Sequence, residues 1–83
     1  MIKEHNQSKK YLFERISLSH QLRKNIVDLL ENNELMSVSS LAKKMQKEKT
    51  VISQHLNILI RGGYVDTKII NRTIHYFLVR KNS

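Results

Sequence analysis

Five polar side chains recur at helical spacing in the third quarter of the chain and could contact the edges of nucleic-acid bases. At about 100° per residue they share one helix face, opposite Ile52, Leu56 and Leu59. The amides of Gln54 and Asn57 can pair bidentately with adenine, and Ser and Thr hydroxyls can bond to most base edges. An ordinary solvated helix face would be equally polar, so this pattern alone leaves both interpretations open. This polar stripe consists of Lys49, Thr50, Ser53, Gln54 and Asn57.

The positive charge of the chain is concentrated in its second part. The formal net charge is +8, and residues 36–83 carry nine Lys and Arg against two Asp and Glu. Residues 1–35 carry six against five. A phosphate backbone would be attracted to the basic part, and we expect Arg61, Lys68 and Arg72 to contact DNA there. A basic surface that served only solubility would not require this segregation of charge.

Two short helices joined by a polar turn are predicted to present the polar stripe. Ser37 can cap a helix over 38–46, and a second helix is expected over 49–61. Gly62–Gly63 should end the second helix by supplying the positive φ that such a stop needs. The residues expected to face inward are Val38, Leu41, Ala42, Met45, Ile52, Leu56 and Leu59.

A β-hairpin is predicted after the second helix. Residues 65–70 and 73–80 are rich in β-branched and aromatic side chains, and Asn71–Arg72 between them suits a tight turn. Leu35–Met36 could add a short third strand. This order predicts a helix-turn-helix over 37–61 followed by a wing over 64–80.

The first part of the chain is predicted to contain two more helices. A helix over 20–32 is indicated by apolar residues at helical spacing, and Asn32–Asn33 should end it in a left-handed conformation. An N-terminal helix is expected over 7–16, although its apolar residues do not form a single stripe. The inward residues of the longer helix are Leu18, Leu22, Ile26, Leu29 and Leu30, and the apolar residues of the N-terminal helix are Tyr11, Leu12, Phe13 and Ile16.

These elements predict a mainly α-helical winged helix-turn-helix with four helices and a small hairpin. Eighty-three residues can build one small core, and no linker or repeat divides them, so we expect a single domain over 1–83. The chain has no cysteine, hence no disulfide and no thiolate metal site. No segment has the length or apolarity of a signal peptide or a membrane span.

From about Leu18 to Leu78 the chain resembles the ArsR-type winged-helix repressors, the arsenical-resistance-repressor family. The family pattern L-A-x-x-L-x-x-x-x-x-x-V-S-x-H-L is matched by Leu41, Ala42, Met45, Ile52, Ser53, His55 and Leu56. The wing pattern of a Gly-Arg tip followed by V-Y-Y-x-L is matched by Asn71, Arg72, Ile74, His75, Tyr76 and Leu78. The pattern L-R-x-x-I-x-x-L-L is matched by Leu22, Arg23, Ile26, Leu29 and Leu30.

Several positions depart from this family pattern. Ser37 and Ser39 stand where metal-sensing members carry two cysteines, and serine cannot supply a thiolate to a soft metal. The helix that follows the wing in other members is not expected here. Gln46 takes the place of the turn glycine and Glu48 that of the capping serine, which could shift the start of the next helix by one residue. His55 is expected to pack or to contact a phosphate, and no metal or cofactor is expected.

The resemblance implies a sequence-specific, double-stranded-DNA-binding transcriptional regulator, with repression by occlusion as the favoured mode. The recognition helix would enter the major groove, and the wing would reach the backbone or the minor groove. The protein is expected to be a cytoplasmic homodimer joined through Tyr11, Leu12, Phe13 and Ile16. The alternative is a winged-helix protein-interaction module without specific DNA binding. No Gly-rich phosphate loop or nucleophile with a base is present, so an enzyme is not supported.

Overall fold

The structure, a computed structural model, describes residues 19–80 of the chain. Within this range three helices and three strands follow the order of a helix-turn-helix and a hairpin. Four helices were predicted, and the N-terminal one over 7–16 lies outside the described residues. The helices are α1 (residues 19–32), α2 (Val38–Met45) and α3 (Lys49–Arg61), and the strands are β1 (Met36–Ser37), β2 (Val65–Ile70) and β3 (Thr73–Leu78).

Helix α1 ends where the sequence predicted, but by a different mechanism. The side-chain amide of Asn32 donates to the carbonyl of Asp28 at 3.1 Å, and that of Asn33 donates to the carbonyl of Leu29 at 2.9 Å. Neither asparagine has a positive φ, so the predicted left-handed cap is wrong. The Leu29 carbonyl also accepts from the backbone N–H of Asn33 at 2.9 Å, so the asparagine amide adds a second bond to the last turn. These local side-chain bonds hold the end of α1 without a left-handed residue.

Helix α2 begins with the predicted serine cap and ends one residue earlier than predicted. The Oγ of Ser37 accepts from the backbone N–H of Ser40 at 3.2 Å. Gln46 lies outside the helix in a left-handed conformation, with φ 56° and ψ 45°. The N–H of Gln46 donates to the carbonyl of Lys43, and that of Lys47 to the carbonyl of Ala42 at 3.0 Å. These two bonds form a Schellman motif, whose left-handed position usually holds glycine.

Helix α3 spans the predicted residues and ends in the same motif. The N–H of Gly63 donates to the carbonyl of Ile60, and that of Tyr64 to the carbonyl of Leu59, both at 3.0 Å. Only Gly63 has the predicted positive φ, 80°, because Gly62 is the right-handed C-cap. A Cβ on Gly62 would lie 2.9 Å from the Tyr64 ring, so this glycine allows the ring to approach the chain.

The sheet is antiparallel with strand order β1–β3–β2. Met36 pairs with Tyr76, so the predicted third strand is present but begins one residue later than expected. Strand β3 ends at Leu78 and not at the predicted residue 80, because its partner β2 begins at Val65 and the last cross-strand pair is Val65 with Leu78. One further bond, from the N–H of Val79 to the carbonyl of Tyr64, follows this last pair. Asn71 and Arg72 form the predicted two-residue turn, and both have positive φ (50° and 68°), as a type I′ turn requires.

The core lies where α1, α2 and α3 meet β1 and the base of the hairpin. Ile26, Leu41, Ile52 and Leu56 are completely buried, and Tyr76 and Leu78 pack against this cluster from β3. At about 1.5–3 kcal/mol for each fully buried aliphatic side chain, this cluster is the main source of stability in the described residues. The core holds α3 by one face and leaves its opposite face in solvent. The buried apolar residues are Ile26, Leu30, Met36, Leu41, Ala42, Ile52, Leu56, Leu59 and Val65.

Replacing Gln46 with Gly should stabilise the fold. A left-handed conformation costs a residue with a Cβ about 1–2 kcal/mol, and glycine avoids this at the expense of unfolded-state entropy. We expect the free energy of unfolding to rise by about 0.5–1 kcal/mol in urea denaturation, with the same dependence on urea. Gln46→Ala is the matched control, because alanine keeps the Cβ. A glycine variant no more stable than the alanine variant would contradict the strain at this turn.

Candidate nucleic-acid interface

The polar stripe lies on the outward face of α3. Lys49, Thr50, Gln54 and Asn57 are exposed, and Ser53 is half-buried. With 3.6 residues per turn, these positions and Arg61 fall within an arc of about 140° on the helix. The buried residues Ile52, His55, Leu56 and Leu59 occupy the opposite side. The structure therefore brings the predicted helix residues together on one accessible surface.

A basic groove runs between α2 and the start of α3. This α2–α3 groove has a volume of ≈ 610 Å³. It joins Lys49 and Thr50 to Lys43 and Lys47, which the sequence analysis did not single out. The lining residues are Ser39, Ala42, Lys43, Lys47, Glu48, Lys49 and Thr50.

Lys43 lies four residues after Ser39 on the same side of α2, so helical spacing is the sequence signal that could have identified Lys43. Lys47 lies after the end of α2, outside that spacing.

This groove has the chemistry of a phosphate site. The first N–H groups of α3 point out of the helix, and Glu48, the N-cap, makes no side-chain bond to them. The partial positive charge of a helix start attracts anions, and three lysines surround this one. The Glu48 carboxylate opposes that attraction in part. The lysine ammonium groups outnumber it, so the groove favours an anionic partner.

The wing presents its two predicted cations in different places. Arg72 is exposed at the hairpin tip, where its φ of 68° is a conformation that arginine seldom adopts. Lys68 lies on β2 opposite His75 and lines a second groove, to which no α3 residue contributes. The structure thus places Arg72 at the free end of the wing and Lys68 on its flank. This wing-flank groove is lined by Leu30, Glu34, Leu35, Lys68, Phe77, Leu78 and Arg80.

His55 lies beneath the polar stripe and not within it. Its side chain is 8 % exposed, which agrees with the predicted packing role. Its Nδ1 is buried without a hydrogen-bond partner among the described residues. Burial lowers the pKa of His55 below its ordinary value of 6.5, and the positive charge of Arg23 on α1 lowers it further. His55 is therefore neutral at pH 7 and adds no charge to the interface.

The two serines at the cysteine positions of the metal-sensing pattern have other surroundings. Ser37 caps α2, and Ser39 lines the α2–α3 groove. Between residues 19 and 80, no three His, Cys, Asp or Glu side chains are grouped so that they could hold a metal ion. None of the helices in that range has the length and apolarity needed to cross a membrane.

Comparison with known proteins identifies the family. The model of the bacterial regulatory protein, arsR family, matches residues 20–67, which include α1, the helix-turn-helix and the first part of the wing. The chain belongs to the arsR family. The predicted resemblance is thereby confirmed, and the arsR family groups this chain with DNA-binding regulators and not with enzymes.

Several solved structures share this fold. The transcriptional regulator HlyU from Vibrio vulnificus is 31 % identical, covers 94 % of this chain and 79 % of its own, and superposes with a TM-score of 0.70. Reduced HlyU from Vibrio cholerae is 26 % identical over 96 % of this chain and 83 % of its own, with a TM-score of 0.68. The Zalpha domain of Carassius auratus PKZ, solved with Z-DNA, shares the fold at 22 % identity, 75 % and 98 % coverage and a TM-score of 0.68. No curated protein sequence matches significantly.

The described residues do not test the predicted dimer contact. Tyr11, Leu12, Phe13 and Ile16 lie outside the described residues, so the dimer contact stays a prediction. The DNA-binding residues predicted from the sequence, in contrast, all lie within the described range, between Lys49 and Arg72.

Replacing His55 with Leu should reduce the loss of stability in acid. Above pH 6.5 the histidine is neutral in both the folded and the unfolded chain, and its contribution to stability is fully present. As the pH falls below 6.5 toward the lowered folded pKa, the unfolded chain takes up a proton that the folded chain resists, so stability is lost. Urea denaturation from pH 8 to pH 5 measures this loss in both proteins. Parallel stability profiles would show that His55 is not the cause.

Proposed function

We propose that this protein is a sequence-specific transcriptional repressor that inserts α3 into the DNA major groove. The observation that carries the proposal is the exposed polar stripe, held opposite a fully buried apolar face and beside the basic α2–α3 groove. Membership of the arsR family supports DNA binding, and the V. vulnificus relative is a transcriptional regulator. The bases that α3 contacts and the role as a repressor are part of what we propose.

Base recognition would come from the middle of α3. A 13-residue helix is about 20 Å long and fits the major groove, which is about 12 Å wide. Gln54 and Asn57 can each pair bidentately with adenine, while Ser53 and Thr50 can contact other base edges. Lys49 and Arg61, near the two ends of the helix, would contact the flanking phosphates.

The α2–α3 groove and the wing would fix the position of α3 on the duplex. Lys43 and Lys47 place positive charge beside the N-terminal end of the helix, where one phosphate strand would pass. Arg72 extends the contact to the backbone or the minor groove, and Lys68 supports it from the wing flank. Such contacts set register and orientation without reading sequence.

A homodimer would give this interface its specificity. A two-fold pair joined through Tyr11, Leu12, Phe13 and Ile16 would present two recognition helices to half-sites about 34 Å apart. A protein bound across a promoter in this way would block access by occlusion. Selection of bound sequences from a random duplex pool tests DNA binding, specificity and half-site symmetry together.

Removing the wing cations should weaken DNA binding at every sequence and reduce its dependence on salt. Each lost phosphate contact lowers the slope of log K against log salt by about 0.9. Arg72→Gly also relieves the positive φ at the tip, so weaker binding could not be attributed to a less stable fold. We expect the same direction for Lys68→Ala, and Lys24→Ala, at an exposed position of α1, is the matched charge control. Salt-independent binding by the wild type would favour a protein-interaction module instead.

Replacing Gln54 with Ala should reduce discrimination between sites. A good bidentate contact contributes about 1–3 kcal/mol of preference for the correct base, whereas loss of an exposed side chain leaves the fold intact. The measurement is the ratio of affinities for the selected site and for its single-base variants. Gln21→Ala, which removes the same side chain from an exposed position of α1, should leave that ratio unchanged. An unaltered ratio for Gln54→Ala would remove Gln54 from base recognition.

The protein should sediment as a dimer at micromolar concentration and bind a palindromic site. The apolar side chains Tyr11, Leu12, Phe13 and Ile16 supply the surface that an isologous contact would bury. Replacing Leu12 and Phe13 with Ser should shift sedimentation toward the 9.8 kDa monomer. A wild-type monomer bound to a single unpaired half-site would contradict the dimer.

A further inference from the structure

Two isoleucines near the wing tip face solvent directly opposite each other. Ile69 on β2 pairs with Ile74 on β3, and their side chains are 71 % and 48 % exposed. Ile69 is the most exposed large apolar residue in the described part of the chain. Cross-strand neighbours have Cβ atoms about 4.5–5.5 Å apart, so the two side chains form one apolar surface. We call Ile69 and Ile74 the wing pair.

The wing pair continues the face of the hairpin that packs on the helices. Alternate residues along a strand share a face, so the wing pair lies on the same side as the two cross-strand pairs nearer the base. Those pairs are Thr67 with Tyr76 and Val65 with Leu78, and Val65 is buried in the core. The apolar face thus extends beyond the helices that cover its base. Strand propensity alone does not require isoleucine there, because threonine is also β-branched and is suited to solvent.

The charge around the wing pair indicates the chemistry of its partner. Residues 67–75 include no Asp or Glu, and their two cations are Lys68, on the opposite face of β2, and Arg72 at the tip. Arg72 lies at the tip between the two strands that carry the pair, and it is held there despite its positive φ. An apolar surface beside a cation matches the DNA minor groove, where proteins insert isoleucine beside arginine and partly unstack a base step.

We propose that the wing pair enters the DNA minor groove beside Arg72, contacts the deoxyribose walls and opens a base step. This inference rests on the proposed function and adds a bend in the DNA to it. A protein partner fits less well, because stable interfaces bury about 1,200–2,000 Å² and two side chains at a hairpin tip cover far less. Flexible pyrimidine–purine steps would be preferred beneath the wing, since they are the easiest to unstack.

The test compares the wild type with the double variant Ile69→Thr/Ile74→Thr on the selected duplex. Threonine keeps the β-branch and therefore the hairpin, while it makes the surface polar. We expect binding roughly tenfold to a hundredfold weaker at the same salt concentration, from the apolar burial that is lost. The slope against salt should stay unchanged, because no cation is removed. Val79→Thr, at an exposed position near the base of the wing, is the matched control and should bind normally.

Two further readouts report on the DNA itself. 2-Aminopurine placed at the steps flanking the α3 contact should brighten when the wild type binds, and energy transfer between the duplex ends should report a bend. Both signals should be lost in the double variant. The milder Ile69→Val/Ile74→Val variant should give signals between those of the wild type and the threonine variant. It replaces the threonine variant if that variant does not fold.

The outcomes distinguish failure of the wing inference from failure of the proposed function. If the wild type binds no duplex, the proposed function fails and the wing inference fails with it. If the wild type binds its site and the double variant binds, brightens and bends equally, only the wing inference is overturned. A double variant that sediments as a smaller species than the wild type would assign the pair to protein contact. If the wild type binds anionic vesicles and the double variant does not, the wing pair would be assigned to lipid contact. Either of these two results overturns the proposal.

Discussion

The burial of one face of α3 is the constraint on which the rest of the described structure depends. Ile52 and Leu56 are completely buried, and together they contribute about 3–6 kcal/mol at typical values for aliphatic side chains. A helix turns through a fixed angle at each residue, so burying these two side chains fixes the direction of every other side chain on α3. The orientation of the polar stripe follows from the core and needs no interaction of its own.

Three local departures that carry an energetic cost are tolerated in the described structure; Asn71 also has a positive φ, which asparagine adopts readily. Gln46 and Arg72 have positive φ, and His55 buries a ring nitrogen without a partner among the described residues. Each costs on the order of 1–3 kcal/mol, less than the apolar burial that opposes it. Two of them lie beside the proposed DNA surface: Gln46 precedes the α2–α3 groove, and Arg72 forms the wing tip. Backbone strain at such places is common where a side chain serves binding.

The sequence predicted those elements that strong local signals define. The bounds of α3 and the Asn71–Arg72 turn were correct, because a helix-period apolar pattern, a glycine pair and a turn asparagine mark them. The end of α1 was predicted at the right residues with the wrong conformation, since sequence does not show that the asparagine amides would bond the last carbonyls. The end of β3 was also wrong, because a strand stops where its partner strand stops and composition does not record that.

The interface was predicted in part for a similar reason. The polar stripe lies on one helix, so spacing alone could assemble it. The α2–α3 groove joins Lys43 and Lys47 of one segment to Lys49 and Thr50 of another, and only the packing of α2 on α3 brings them together. Likewise, an isoleucine in a strand looks like a core residue until the hairpin is seen to extend past the helices that cover its base.

The length of the hairpin turn has a consequence of its own. Asn71 and Arg72 join the strands so that Ile70 pairs with Thr73, and this register places Tyr76 and Leu78 toward the core. Adding one residue to β3 would exchange its two faces and bring His75 and Phe77 to the inside, unless a bulge absorbed the extra residue. Insertions in this wing should therefore be tolerated in even numbers more readily than in odd ones. Whether the number of inserted residues is even or odd therefore limits, together with composition, how the tip of this hairpin can evolve.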